Sequence, residues 1–142
     1  MSFIYAIISG AAMSIQGVTN ARLGDKTGLF EANAFIQGTA FMLSVIIMLI
    51  WGKGDIRAIM SAKPYTWFGG AIGVIITVTV MLAVKNLNPQ LAISVILVSQ
   101  LAVATIIDTF GIMDTPKTPL TFTKIAGLCF MVVGVILLKM KK

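Results

Sequence analysis

Four long stretches of the sequence lack any charged residue and are predominantly apolar. They are residues 1–21, 32–52, 64–84 and 86–107. A helix needs about 20 predominantly apolar residues to cross the hydrocarbon core of a bilayer. The pattern therefore predicts four membrane-spanning helices separated by short polar loops.

A fifth apolar stretch is shorter, because Lys124 and Lys139 bracket residues 125–138. Long basic side chains at the ends of a span can extend to the membrane surface. We therefore predict a fifth span, with a re-entrant or surface helix as the alternative. The predicted spans are about 3–20, 32–51, 66–84, 90–110 and 121–139, in a single transmembrane domain of residues 1–142.

The composition supports an all-α integral membrane protein and argues against other classes. Of 142 residues, 58% are hydrophobic and 11% are charged, whereas a soluble domain has about 25% charged residues. The sequence has no histidine and one cysteine, Cys129, so one chain cannot form a histidine acid–base site, a Cys/His zinc site or an internal disulfide. Because motifs for nucleotide binding, nucleophilic catalysis and metal ligation are also missing, we expect no enzyme activity, no cofactor and no metal.

The charges flank the predicted spans. The net charge is +6, but the basic residues form no stripe with interleaved aromatic residues, so we do not expect a nucleic-acid partner. Five spans place the N and C termini on opposite sides of the bilayer. One side then receives Lys53, Arg57, Lys63, Lys117 and Lys124, and the other receives Arg22, Lys26, Lys85, Lys139, Lys141 and Lys142.

This division of five basic residues against six gives almost no orientation signal, because topology follows the Lys/Arg asymmetry of short loops. Two interpretations stay open at this point. Copies of the chain could insert in both orientations and pair antiparallel. Alternatively, the chain could have one weakly specified orientation, or one chosen by a partner or by the insertion machinery.

Polar side chains recur on single faces of three predicted helices. They are Gln16 and Asn20 in the first span, Asn33, Gln37 and Ser44 in the second, and Gln100 in the fourth. An amide that faces lipid is costly unless it is hydrogen-bonded, so these groups should face protein or a wet cavity. They either hydrogen-bond between helices or line a pathway for a polar substrate.

Two acids and four glycines complete the candidate residues. Glu31 opens the second span, where a helix N-terminus favours an anion, and Asp108 lies about one turn inside the end of the fourth, where it could pair with a basic residue. Both are candidates for proton coupling, although a midplane carboxylate is missing. Small residues let helices approach closely in membranes. The glycines predicted for helix packing or subunit contact are Gly69, Gly73, Gly127 and Gly134.

One sequence motif closes the first span, and matching residues follow in order along the chain. The motif is Gln16-Gly17-Val18-Thr19-Asn20-Ala21-Arg22-Leu23-Gly24, and the later matches are Phe35, Gly38-Thr39, Trp67, Gly69-Gly70, Gly73, Gln100, Asp108, Gly111, Gly127 and Gly134. With these residues the chain resembles the YdcZ-type five-helix family of the drug/metabolite transporter (DMT) superfamily. The similarity covers essentially the whole chain.

The resemblance implies half of a ten-helix transporter in the bacterial inner membrane. Two inverted five-helix units would pair as a dual-topology homodimer, as a heterodimer with an oppositely oriented paralogue, or within a fused chain. The resemblance favours the homodimer, which would export or exchange a small polar metabolite or organic cation by alternating access. A site near the midplane at the repeat interface is typical of inverted-repeat transporters.

The alternative function is a non-transporting accessory or scaffold subunit of the membrane. The polar faces discriminate between the two functions. If the amides satisfy one another in a dry bundle, the scaffold is favoured. If they line a cavity that water can enter, the transporter is favoured.

Overall fold

The computed structural model describes residues 1–140, and all regular structure in that range is helical. Five α-helices are connected by short loops. They are α1 (Ser2–Thr27), α2 (Leu29–Trp51), α3 (Gly69–Leu87), α4 (Pro89–Phe110) and α5 (Phe122–Met140). Short 3₁₀ helices occupy Ile56–Ser61, Pro64–Phe68 and Ile112–Asp114.

Five helical segments in the described range are long and apolar enough to cross a membrane. The prediction of an all-helical, five-span protein is confirmed at this level. The fifth span is an uninterrupted α-helix of 19 residues. The 3₁₀ helix Pro64–Phe68 continues directly into α3, so the third apolar segment runs over Pro64–Leu87.

The helix boundaries differ most from the predicted ones at the first loop. The first span was predicted to end near residue 20, but α1 continues to Thr27. Arginine and lysine are good helix formers, so Arg22 and Lys26 end the apolar stretch without ending the helix. The loop between α1 and α2 is consequently reduced to one residue, Gly28.

Gly28 makes this sharp junction possible. Its φ of 103° lies in the region that side-chain-bearing residues rarely adopt. Its N–H donates to the Gly24 carbonyl at 3.1 Å, and its own carbonyl accepts from the Ala32 N–H at 3.0 Å. The Glu31 carboxylate occupies the place where a Cβ of residue 28 would lie. A side chain at position 28 would therefore strain the backbone and displace Glu31.

The chain divides into two compact units, of which the first, Met1–Asn86, contains α1, α2 and α3. In this unit α1 packs against α2, and Gly17 of α1 is buried against α3. A Cβ added at Gly17 would lie 3.2 Å from Val80 Cγ1 and 3.9 Å from Val84 Cγ2. Gly17 therefore sets how closely α1 approaches α3.

Replacing Gly17 with leucine is expected to lower the free energy of unfolding by about 1–3 kcal/mol, because overpacking forces neighbouring side chains and backbone to shift. Thermal unfolding in detergent measures the effect. Gly10→Leu is the matched control, since a Cβ at Gly10 would meet no atom within 4 Å. Equal destabilisation by both substitutions would contradict a packing role specific to Gly17.

An ion pair joins the C-terminal ends of α1 and α3. Lys85 Nζ lies 3.0 Å from Asp25 Oδ1, and the side chains are 57% and 39% exposed. Exposed pairs typically contribute less than about 1 kcal/mol, so this one adds little stability. It does show that α1 and α3 end at the same side of the unit, as three successive spans require.

The second compact unit begins at Leu87 and contains α4 and α5, which pack against each other. Pro89 opens α4 after Asn88, whose Oδ1 accepts the Leu91 N–H at 3.0 Å. Gly111 ends the helix in the left-handed conformation, with φ 65°. The following loop folds back on α4, since the Thr118 N–H donates to the Asp108 carbonyl at 2.9 Å.

Candidate functional site

A hydrogen bond between α2 and α3 engages one of the predicted pathway residues. Gln37 Nε2 donates to Thr77 Oγ1 at 3.2 Å, and Thr77 Oγ1 donates to the Gly73 carbonyl at 2.9 Å. A Cβ added at Gly73 would lie 3.9 Å from Gln37 Nε2. Gly73 thus leaves room for the Gln37 amide, which bonds between helices in the way a packing role predicts.

Asn33 lies one turn before Gln37 on α2 and is in a different situation. It is 8% exposed, and its Oδ1 is buried without a hydrogen-bond partner among the described residues. Leaving a buried acceptor unsatisfied costs about 1–3 kcal/mol. Such a group calls for an explanation by strain, function or an additional binding partner.

The α1 amides are one turn apart on the same helix. Gln16 is exposed and Asn20 is half-buried. Within residues 1–140 neither side-chain amide has a hydrogen-bond partner. Because α1 and α2 pack antiparallel around Gly28, and Gly24 lies beside Ala32, Asn20 lies within about one helical turn of the height of Gln37. The first unit therefore brings amides of α1 and α2 to similar depths.

The other two predicted pathway residues differ from each other. Ser44 is exposed, and its hydroxyl donates to the Ala40 carbonyl of its own helix at 2.7 Å. Its hydroxyl hydrogen is therefore already used, and only the oxygen lone pairs are open to a further partner. Gln100 on α4, in the second unit, is exposed and has no hydrogen-bond partner for its amide in the described range.

The two candidate acids also have different surroundings. The Glu31 carboxylate folds over Gly28 in the first turn of α2, where the helix dipole favours an anion. Asp108 lies in the last turn of α4, is exposed, and accepts the Thr118 N–H through its backbone carbonyl. Its carboxylate makes no ion pair with a described residue.

Three of the four packing glycines have open space beside them. A Cβ added at Gly69, Gly127 or Gly134 would meet no atom of the described chain within 4 Å outside its own helix. Only Gly73 therefore faces another helix within its unit. The positions in α5 are free to approach a helix from elsewhere.

Sequence reasoning did not identify the cavity beside the ion pair of the first unit. This cavity has a volume of about 180 Å³ and is lined mainly by small and apolar residues, with Asp25 and Lys85 among them. A weak signal was present in the sequence. Asp25 and Lys85 have opposite charges and belong to loops predicted on the same side of the bilayer.

A family model described as "Putative inner membrane exporter, YdcZ" matches residues 1–137. The chain belongs to the YdcZ family. None of the curated proteins or solved structures compared with the chain matches it significantly. Membership in the YdcZ family, together with five membrane-length helices, places the chain in the inner membrane. The description of the YdcZ family names export, which supports a transporter function for the chain.

Proposed function

We propose that two copies of the chain pair antiparallel and export or exchange a small polar metabolite or organic cation by alternating access. Each copy supplies five helices of a ten-helix transporter. The observation that carries the proposal is the buried Asn33 Oδ1, which has no hydrogen-bond partner in the described chain. The pathway residues are Gln16, Asn20, Asn33, Gln37, Ser44 and Gln100.

The unsatisfied Asn33 acceptor favours a substrate pathway over a dry scaffold. The missing donor must come from outside the described chain, and a solute or water in a pathway can supply it. A scaffold would gain stability from an apolar residue at this position. A pathway instead requires acceptors that are free to bind a passing ammonium, amide or hydroxyl group.

The unpartnered amides of Gln16 and Gln100 support assembly with a second copy. Both side chains are exposed, and exposure of an amide to lipid is unfavourable. A second chain, or the wet cavity that it encloses, would remove both amides from lipid. The near-even division of basic residues across the bilayer permits either orientation.

The open glycines of α5 support the same pairing. Gly127 and Gly134 are seven residues apart, which places them on one side of the helix. Nothing in the described chain fills the space beside them. Close approach of helix backbones at small residues drives association within membranes. We therefore assign α5 to the contact between the two copies.

We assign proton coupling to Asp108 first and to Glu31 second. The Asp108 carboxylate has no ion-pair partner within residues 1–140, whereas Glu31 packs over Gly28 at a helix N-terminus. In an antiparallel pair, the two copies of Asp108 would lie near opposite membrane faces. A proton could then bind from either side.

Flux into proteoliposomes tests the proposal, with ethidium and a panel of isotope-labelled polar metabolites as probes. We expect Gln16→Ala to reduce flux at least tenfold, about 1.4 kcal/mol or more. We expect Asp108→Asn to remove the response to a pH gradient. Thr79→Val is the control, because the Thr79 hydroxyl donates to Ile75 and Ile76 of its own helix.

The outcomes separate the transporter from its alternatives. Flux only after co-expression of a paralogue would support a heterodimer. Failure of the wild-type chain, alone and with a paralogue, to move any probe would contradict transport and favour an accessory or scaffold subunit. Equal flux in Gln16→Ala and Thr79→Val would exclude Gln16 from the pathway.

A further inference from the structure

The loop between α2 and α3 contains basic and large apolar residues that have no part in the proposed transport mechanism. We call residues 52–68 the interfacial loop. It contains Lys53, Arg57 and Lys63 against one acid, Asp55. Trp51 precedes it at the end of α2 and is 70% exposed. Tryptophan is enriched where a span meets the membrane surface, so the loop emerges at that level.

Two hydrogen bonds give the interfacial loop a defined structure. Asp55 Oδ1 accepts the Arg57 N–H at 2.9 Å and caps the 3₁₀ helix Ile56–Ser61. Trp67 Nε1 donates to the Ile59 carbonyl at 3.1 Å, which ties the two halves of the loop together. The loop is therefore a folded surface element that presents fixed faces.

The 3₁₀ helix separates these faces by residue type. Residues i and i+3 of a 3₁₀ helix share a face, so Ile56 and Ile59 form one apolar stripe. Arg57 and Met60 form the neighbouring stripe. Ile56 is 62% exposed and Met60 is 86% exposed. Large apolar side chains this exposed, beside a basic residue at the membrane surface, are typical of an interfacial lipid contact.

A cleft lies along the apolar stripe. It has a volume of about 460 Å³ and is lined by Ile56 and Ile59, by Met48 of α2, and by Gly52, Gly54 and Asp55. Its size is within the range of ligand pockets, roughly 300–1,000 Å³. Lys53 and Arg57 lie in sequence between residues that line it, and neither makes an ion pair with a described residue.

We propose that the interfacial loop binds an anionic phospholipid. The lipid phosphate lies between Lys53 and Arg57, and an acyl chain contacts Ile56, Ile59 and Met48 in the cleft. Asp55 keeps its negative charge while it caps the helix, so Lys53, Arg57 and Asp55 together give the site a net charge of +1. The charge complementarity selects an anionic headgroup over a zwitterionic one. Lipid binding here is separate from transport and does not depend on it.

Binding of phosphatidylglycerol to the purified full-length chain tests this site. Titration in nanodiscs of otherwise zwitterionic lipid, followed by native mass spectrometry, gives the dissociation constant. We expect the double variant Lys53→Gln/Arg57→Gln to bind about 30-fold more weakly, which corresponds to about 1 kcal/mol for each basic residue. We expect Ile56→Ser, which removes an apolar side chain of the cleft and keeps every charge, to weaken binding by several fold.

Lys26→Gln/Lys139→Gln is the matched control, because it removes the same charge at the ends of α1 and α5. Equal weakening by the two double variants would overturn the proposal, since it would indicate general attraction to surface charge. Competition by soluble glycerol phosphate at low millimolar concentration would also overturn it, because the cleft would then contribute nothing. Circular dichroism and size-exclusion profiles identify variants that fail to fold. If the double variant Lys53→Gln/Arg57→Gln fails to fold, binding by Ile56→Ser decides.

Discussion

Replacing Asn33 with leucine is expected to raise the thermal stability of the chain while abolishing transport. Leucine is close in shape to asparagine and removes the buried acceptor that has no partner. Replacing an unsatisfied buried polar group with an apolar one is expected to stabilise the fold by about 1–3 kcal/mol. A substrate donor would at the same time lose its acceptor, so we expect flux to fall at least tenfold. Thermal unfolding in detergent and flux in proteoliposomes give the two readouts.

Asn88 provides a matched asparagine for this experiment. Its Oδ1 accepts the Leu91 N–H at 3.0 Å and caps α4, so its acceptor is already used. Loss of such a cap costs about 1 kcal/mol. Asn88→Ala should therefore lower stability and leave flux unchanged, the opposite of Asn33→Leu. A destabilised Asn33→Leu variant that still transports would show that the Asn33 amide serves packing alone.

The contrast between Asn33 and Ser44 shows what sequence could and could not supply. Both residues lie on the polar face of the second span, and the sequence pattern gives no reason to distinguish their roles. In the structure the short Ser44 hydroxyl reaches the Ala40 carbonyl of its own helix, whereas Asn33 Oδ1 is buried without a partner. Serine bonding to the preceding turn is a local property. Burial of Asn33 is a result of tertiary packing, which periodicity alone does not reveal.

The five spans were predictable because a helix needs about 20 predominantly apolar residues to cross the bilayer, and such stretches are visible in the sequence. Their ends were less predictable, because the lipid boundary and the helix terminus are set by different properties. Arg22 and Lys26 end the apolar stretch, but only Gly28, with its positive φ, ends α1. The hydrogen bond from Gln37 to Thr77 could not be predicted from the sequence for a different reason. Helical faces predict which residues point the same way, but they do not specify the partner on another helix.

Dual insertion is expected to appear as half-labelling of single cysteines from each side of the membrane. Cys129→Ala provides the cysteine-free background. Gly54→Cys reports the loop after α2, where an added side chain meets open space, and Thr27→Cys reports the end of α1. Both substitutions keep the charge count unchanged. With mixed orientations, an impermeant thiol reagent should label about half of the copies at each position. With one fixed orientation, it should label one position fully and the other not at all.

Shifting the charge balance then tests whether both orientations are needed for activity. Thr27→Lys/Asn86→Lys adds two basic residues to the side that already has six, against five on the other. Because orientation follows the Lys/Arg asymmetry, most copies should then insert one way, and flux should fall with the loss of antiparallel pairs. Co-expression with a variant carrying Gly54→Lys, Ser61→Lys, Lys26→Gln and Lys139→Gln should restore flux. This variant changes the count of basic residues from five against six to seven against four, which favours the opposite orientation. One-sided labelling of the wild-type chain, with flux intact only beside a paralogue, would exclude the homodimer and support a heterodimer.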